Sequence, residues 1–79
     1  MEKDEILKKL NGIFINILDD EDIVLKNDTT AKDIDDWDSL NHMQLVYAIE
    51  KSFKINFSAS EILNWKNVGD MIDSIHKKL

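Results

Sequence analysis

The segment SLNHMQLVYAIEKSF, from Ser39 to Phe53, decides the fold because it carries two apolar stripes at helical spacing. With about 100° between successive residues, one stripe covers about 100° of a helix surface and is typical of a face packed on a core. Its members are Leu45, Val46, Ile49 and Phe53. The second stripe covers about 60° of the neighbouring face. Its members are Leu40, Met43 and Tyr47. It predicts either additional burial or an exposed surface for a partner, and the residues alone leave both open.

A long helix is predicted before this segment, from about residue 3 to residue 18, because apolar side chains recur there at spacings of three and four. They are Ile6, Leu7, Leu10, Ile13, Phe14, Ile17 and Leu18. Between Asp19 and Asp38 the periodicity disappears, which indicates a long loop. Isolated apolar residues are expected to pin this loop to the bundle. They are Ile23, Val24, Leu25, Ile34 and Trp37.

Two further helices are predicted after the central segment. Ser58 and Glu61 have the spacing of a capping box, so a short third helix is expected to reach about Trp65. Asn67 offers a cap for the last helix. That helix has an apolar stripe and places Lys77 and Lys78 in its last turn, where cations suit the helix dipole. The stripe consists of Val68, Met71, Ile72, Ile75 and Leu79.

Composition agrees with a single all-α domain over residues 1–79, a four-helix bundle with a long first loop and a short third helix. The 79 residues include two glycines, no proline and no cysteine, and 43% are apolar. Such a short chain can close one core and hardly a second. Without cysteine, neither a disulfide nor a thiolate metal site can support that core. The N-terminal MEKDEILKK has no continuous apolar run, so neither a signal peptide nor a membrane span is predicted, and a cytoplasmic monomer is expected.

The negative charge is concentrated in the first loop. The chain has ten lysines, no arginine and sixteen acidic residues, a net charge of −6. Nine acids and two lysines lie from Asp19 to Asp38, so this loop has a net charge of −7. Such a charge disfavours nucleic acid and anionic membranes and favours partners with basic surfaces.

Catalysis and metal binding by protein side chains are disfavoured. Asp33, Asp35, Asp36 and Asp38 precede a helix as in a calcium-binding loop. Counting from Asp33, however, the sixth position is not glycine and the twelfth is Gln44 instead of glutamate. His42 and His76 are the only histidines, too few for zinc in a chain without cysteine. No G-x-S-x-G turn supports a serine hydrolase, so the chain is not expected to be an enzyme.

The tripeptide Asp38-Ser39-Leu40 remains as a candidate site. Ser39 stands where a helix cap is expected, and serine is a preferred capping residue. The same position suits a phosphoester, because a helix N-terminus presents unpaired N–H groups and a positive dipole end to phosphate. Both interpretations follow from local physics.

Residues 33–75, DIDDWDSLNHMQLVYAIEKSFKINFSASEILNWKNVGDMIDSI, resemble the acyl carrier protein family. The similarity rests on D-S-L, on the following helix with Glu50 and Phe53 near its end, and on V-G-D at 68–70. It implies that a phosphopantetheinyl transferase uses coenzyme A to attach 4′-phosphopantetheine to Ser39, and that the arm's thiol carries acyl groups. Flanking Ser39, Asp38 and Leu40 would complete the attachment motif.

The resemblance also implies contacts with acyl-loading and acyl-using enzymes that have basic docking surfaces. The residues expected to make them are Asp35, Asp36, Leu40, Met43, Tyr47 and Glu50. The chain departs from the family at Trp37, before the motif, and at helix positions that are often acidic in carriers for fatty acid synthesis. These are Asn41, Gln44 and Lys51. A specialised pathway is therefore expected instead of housekeeping fatty acid synthesis. The alternatives are an aminoacyl, peptidyl or D-alanyl carrier and an unmodified helical interaction module.

Overall fold

Four α-helices and the loops between them form the computed structural model, which describes residues 1–79. The helices are α1 (Lys3–Leu18), α2 (Ser39–Phe53), α3 (Ala59–Asn64) and α4 (Val68–Lys78). There is no strand. The all-α prediction is confirmed, with its long first loop and short third helix. A 3₁₀ turn at Ala31–Asp33 interrupts the first loop and was not predicted.

The core lies between α1, α2 and α4, because each of these helices turns one apolar stripe inward. All four residues of the predicted core stripe of α2 are buried, and so are four of the five predicted for α4. The exception is Leu79, which lies beyond the last turn and is exposed. In α1 five of the seven predicted residues are buried, and the other two, Leu7 and Ile17, are only partly buried. Full burial of one such aliphatic side chain stabilises the fold by about 1.5–3 kcal/mol.

Side-chain caps fix where the helices begin. In α3 the predicted capping box is present: the N–H of Glu61 donates to the Ser58 hydroxyl, and the N–H of Ser58 donates to the Glu61 carboxylate. At α4 the Asn67 side chain accepts from the N–H of Asp70 at 2.9 Å, as predicted. None of the four helices is long and apolar enough to cross a lipid bilayer.

The first loop is held against α1 by both apolar and polar contacts. Ile23 and Leu25 are buried, as predicted. The Asn11 side chain donates to the carbonyl of Ile23 and accepts from the N–H of Leu25, so one α1 residue fixes the loop backbone at two points. The prediction that Val24 pins the loop is wrong. Successive residues of an extended segment point to opposite sides, and Val24 is exposed between its two buried neighbours.

The end of the loop is anchored by Trp37. Its side chain is buried and meets the Phe14 ring of α1 edge-on, with centroids 4.8 Å apart. Ile34 is partly buried against the same core. The predicted anchoring role of Trp37 is confirmed, and it sets the position of the two residues that follow it.

Candidate functional site

Asp38, not Ser39, caps α2. Its carboxylate accepts from the N–H of Asn41 at 2.9 Å, and its carbonyl accepts from the N–H of His42 at 2.8 Å. Ser39 is the first helical residue and is exposed, and its hydroxyl takes part in none of the side-chain hydrogen bonds. The interpretation of Ser39 as a cap is therefore wrong. Its hydroxyl projects from the start of a capped helix and is free to react.

The backbone before Ser39 is held in one conformation by short-range hydrogen bonds. The N–H of Trp37 donates to the carbonyl of Ile34 at 3.2 Å, and the N–H of Asp38 donates to the carbonyl of Asp36 at 3.1 Å. The Asn41 side chain reaches back to that same Asp36 carbonyl at 2.8 Å. These contacts tie the end of the loop to the first turn of α2, so the backbone that carries the Ser39 side chain has a defined position.

The surroundings of Ser39 fit a phosphodiester. At the N-terminus of α2, the N–H groups of Ser39 and Leu40 have no acceptor within the helix, and the dipole of the helix is positive there. A phosphate linked to the Ser39 oxygen would lie beside these N–H groups.

A partly apolar groove of about 620 Å³ opens next to Ser39. α2 contributes His42 and Met43 to its wall, and residues from α3 to α4 contribute Ile62, Trp65 and Met71. Trp37, from the end of the loop, also lines the groove. These side chains are far apart in the sequence and come together only in the folded bundle. The groove was therefore not predicted from the sequence.

The second stripe of α2 is exposed. The exposed fractions are 71% for Leu40, 58% for Met43 and 59% for Tyr47, so the alternative of additional burial is wrong. One turn beyond Tyr47, the Lys51 ammonium lies 4.9 Å from the centroid of the Tyr47 ring. Interaction with Tyr47 raises the pKa of Lys51 and so favours its charged form. The exposed stripe therefore ends on a cation.

Leu63 extends this apolar surface onto α3. Its side chain is exposed, and it lines the same groove as Ser39 and Met43. Leu63 could not be identified from its sequence pattern, because a helix of six residues is too short to show a periodic apolar face.

The predicted acidic docking residues lie near opposite ends of α2. Asp35 and Asp36 are exposed just before Ser39 and take part in neither of the two salt bridges, so their charges are not neutralised within the chain. Glu50 lies eleven residues after Ser39, about 16 Å along the helix axis. Its carboxylate accepts from the N–H of Phe57 at 2.8 Å. The two aspartates therefore lie close to Ser39 in the chain, whereas Glu50 is distant from it. One Glu50 oxygen binds the backbone of the loop between α2 and α3.

Comparison with known proteins agrees with this site. The family model for the phosphopantetheine attachment site matches residues 8–75. The acyl carrier protein of Borreliella burgdorferi is 28% identical over 78 residues, which cover 99% of this chain and 98% of the relative. That of Phytoplasma australiense is 32% identical over 76 residues, with 94% and 97% covered.

A solved structure shows the same fold. The solution structure of the holo acyl carrier protein from Geobacter metallireducens matches with a TM-score of 0.87 and 47% identity, covering 91% of this chain and 83% of that one. The family model includes the capped start of α2 with its exposed serine. The chain therefore belongs to the acyl carrier protein family and contains that family's phosphopantetheine attachment domain.

Proposed function

We propose that Ser39 carries the 4′-phosphopantetheine arm and that the thiol of this arm holds acyl groups as thioesters for delivery to partner enzymes. The single observation that supports the proposal best is the free, exposed hydroxyl of Ser39 at a helix start that Asp38 caps. A carrier needs no active site of its own. It needs a rigid point of attachment, and the hydrogen bonds around Asp36 and Asn41 supply one.

The modification is a phosphoryl transfer catalysed by a separate transferase. The Ser39 oxygen attacks the phosphorus to which the pantetheine is esterified in coenzyme A, and the bond from that phosphorus to the adenosine bisphosphate breaks. The serine proton passes to a base of the transferase. The product is a phosphodiester, and its remaining negative charge is favoured by the N-terminus of α2.

The partners of the loaded carrier would be acyl-loading and acyl-using enzymes. Leu40, Met43 and Tyr47 present an apolar surface beside the arm, and Asp35 and Asp36 add unpaired negative charge next to it. Enzymes with basic docking surfaces complement this arrangement, because charge attraction speeds the first encounter without requiring a tight complex. The same negative charge supports a monomer with no affinity for nucleic acid or anionic lipid.

A specialised pathway is supported by the charge of α2. The helix carries Asn41, Gln44 and Lys51, and its only acid is Glu50, which is hydrogen-bonded to the N–H of Phe57. An enzyme that recognises a strongly acidic second helix would find few acids here. The enzyme that loads the holo protein distinguishes acyl cargo from aminoacyl or peptidyl cargo. Loading of an amino acid by an adenylating enzyme would favour the aminoacyl or peptidyl carrier.

The intact mass of the protein after incubation with coenzyme A and a broad-specificity transferase tests the proposal. The wild type is expected to gain one phosphopantetheine, and Ser39→Ala none. Ser60→Ala is the matched control, because Ser60 is also exposed and makes no side-chain hydrogen bond. No mass gain in the wild type would favour the unmodified interaction module, and a gain in Ser39→Ala would move the attachment to another residue.

A further inference from the structure

Trp37 and His42 bridge the residues at the attachment site. The indole Nε1–H of Trp37 donates to Nδ1 of His42 at 2.9 Å. Trp37 is the last buried residue of the loop, and His42 lies in the first turn of α2. Asp38 and Ser39 lie between them in the chain, so this hydrogen bond closes a small ring of backbone around the modified residue.

The bridge is built into a row of aromatic rings that crosses the bundle. Phe14 of α1 meets Trp37 edge-on with ring centroids 4.8 Å apart, the Trp37 and His42 rings lie nearly parallel with centroids 6.0 Å apart, and His42 meets Trp65 edge-on at 6.2 Å. The loop end and the start of α2 are therefore fixed to α1 on one side and to the end of α3 on the other. Loss of the central hydrogen bond would loosen the joint where Ser39 sits.

From this geometry we infer that the Trp37–His42 hydrogen bond is a latch that positions Ser39 for modification, and that protonation of His42 opens it. The inference rests on the proposed attachment of phosphopantetheine at Ser39. An indole is only a donor, so His42 must accept through an unprotonated Nδ1, which places its proton on Nε2. The imidazolium carries a proton on both nitrogens and cannot accept from Trp37.

The surroundings of His42 keep it neutral at physiological pH. The ring is half-buried, and this desolvation lowers its pKa from the ordinary value. Two charged side chains line the groove that it faces: Asp38 from the loop end favours the imidazolium, and Lys66 from the α3–α4 connection disfavours it. Phe14 and Trp65, the neighbours from α1 and the end of α3, are uncharged. The latch is closed at neutral pH and opens on acidification.

Three variants separate the acceptor, the donor and the charge. His42→Asn keeps an acceptor, because its Oδ1 occupies the place of Nδ1, but it does not titrate. His42→Leu removes the acceptor. Trp37→Phe keeps an aromatic ring against Phe14 and removes the donor. Their melting temperatures, measured beside the wild type, verify that each variant is folded under the assay conditions.

The test is the kcat/KM for modification of Ser39 by one transferase, measured from about pH 5 to 7.5. At each pH the value is divided by that for His42→Asn, so that the pH dependence of the transferase itself cancels. At the upper pH the wild type should equal His42→Asn, and both His42→Leu and Trp37→Phe should be about three- to tenfold slower, the effect of one hydrogen bond. On acidification the wild-type ratio should fall towards theirs. A ratio that is flat with pH, or a His42→Leu as fast as the wild type, would overturn the inference.

A nuclear magnetic resonance titration of the unmodified protein provides a readout independent of activity. The nitrogen shifts of His42 should show the Nε2–H form at neutral pH, and the Trp37 indole N–H should shift as His42 titrates. If the wild type is never modified, the proposed function fails, but this titration still shows whether protonation of His42 breaks the hydrogen bond with Trp37. An indole signal that ignores the His42 titration would refute the latch even if Ser39 is modified.

Discussion

The N–H of Gly69 donates to the carbonyl oxygen of Asn27 at 2.7 Å and thereby fastens the first loop to the first turn of α4. The neighbouring bond from the N–H of Val68 to the carbonyl of Thr29, at 2.9 Å, strengthens the same junction. A Cβ at position 69 would lie 2.9 Å from the Asn27 oxygen, closer than a carbon and an oxygen can pack. The absence of a side chain at Gly69 lets the loop approach the helix.

Gly69→Ala is accordingly expected to lower the free energy of unfolding by about 1–3 kcal/mol, the usual cost of forcing an extra carbon into a packed site. Gly12→Ala is the matched control, because Gly12 lies in α1 with open space around its Cβ position. It should raise stability by about 0.5–1 kcal/mol through helix propensity. Urea unfolding of both variants measures the difference. Equal stabilisation by the two alanines would show that the loop does not approach α4 so closely.

The exposed stripe of α2 should be separable from its buried stripe by stability. Met43→Ala and Tyr47→Ala should change the free energy of unfolding by about 0.5 kcal/mol or less, because both side chains are mostly exposed. Ile49→Ala and Phe53→Ala should each cost about 2–5 kcal/mol, because both are buried.

Thermal melting and loading assays of the same four proteins decide whether the exposed stripe docks partners. Met43→Ala and Tyr47→Ala should melt close to the wild type but be modified or loaded more slowly. If both variants are modified by the transferase and loaded by an acyl-loading enzyme at the wild-type rates, the docking surface lies elsewhere. If they lose as much stability as Phe53→Ala, the two residues belong to the core.

Charge steering by the loop predicts a dependence on salt. Asp35→Asn and Asp36→Asn should lower the kcat/KM of modification at low ionic strength, and the difference from wild type should shrink as salt screens the charges. Asp4→Asn, at the far end of α1, makes the same change in net charge away from Ser39 and serves as the control. Equal effects of all three variants would indicate dependence on net charge alone, without local steering.

Acid should weaken the fold through His42. Burial lowers the pKa of His42 in the folded chain, so between that value and the ordinary 6.5 the unfolded chain binds more protons at this position. This contribution to stability is complete above about pH 6.5 and is lost as the pH falls towards the folded pKa. In His42→Asn the free energy of unfolding should therefore decline less between about pH 7 and 5. Parallel declines in the two proteins would show that His42 titrates alike in both states.

The helices could be predicted from the sequence because local rules and tertiary packing agree there. Apolar spacing located α1 and α2, and the caps at Ser58 and Asn67 located α3 and α4. The choice between Asp38 and Ser39 as the cap of α2 could not be made from the sequence, because both residue types are favoured caps and they are adjacent. Only the backbone geometry shows that Asp38 takes the role and leaves Ser39 free.

Contacts between a loop and a helix could not be predicted from the sequence pattern. The Trp37–His42 hydrogen bond joins a loop residue to a helix residue, and no periodicity connects them. The same applies to Asn11, which lies on α1 yet bonds the loop backbone at Ile23 and Leu25. In the loop itself, apolar character alone could not distinguish exposed Val24 from its buried neighbours.

Fragment masses of the protein after modification with coenzyme A and a transferase test the central claim most directly. The chain contains other hydroxyl residues as internal controls, among them exposed Ser52 and Ser60 and the docking-face Tyr47. One phosphopantetheine per chain is expected, found only in fragments that contain Ser39. The added mass on any fragment without Ser39, or none under conditions that modify another acyl carrier protein completely, would contradict it.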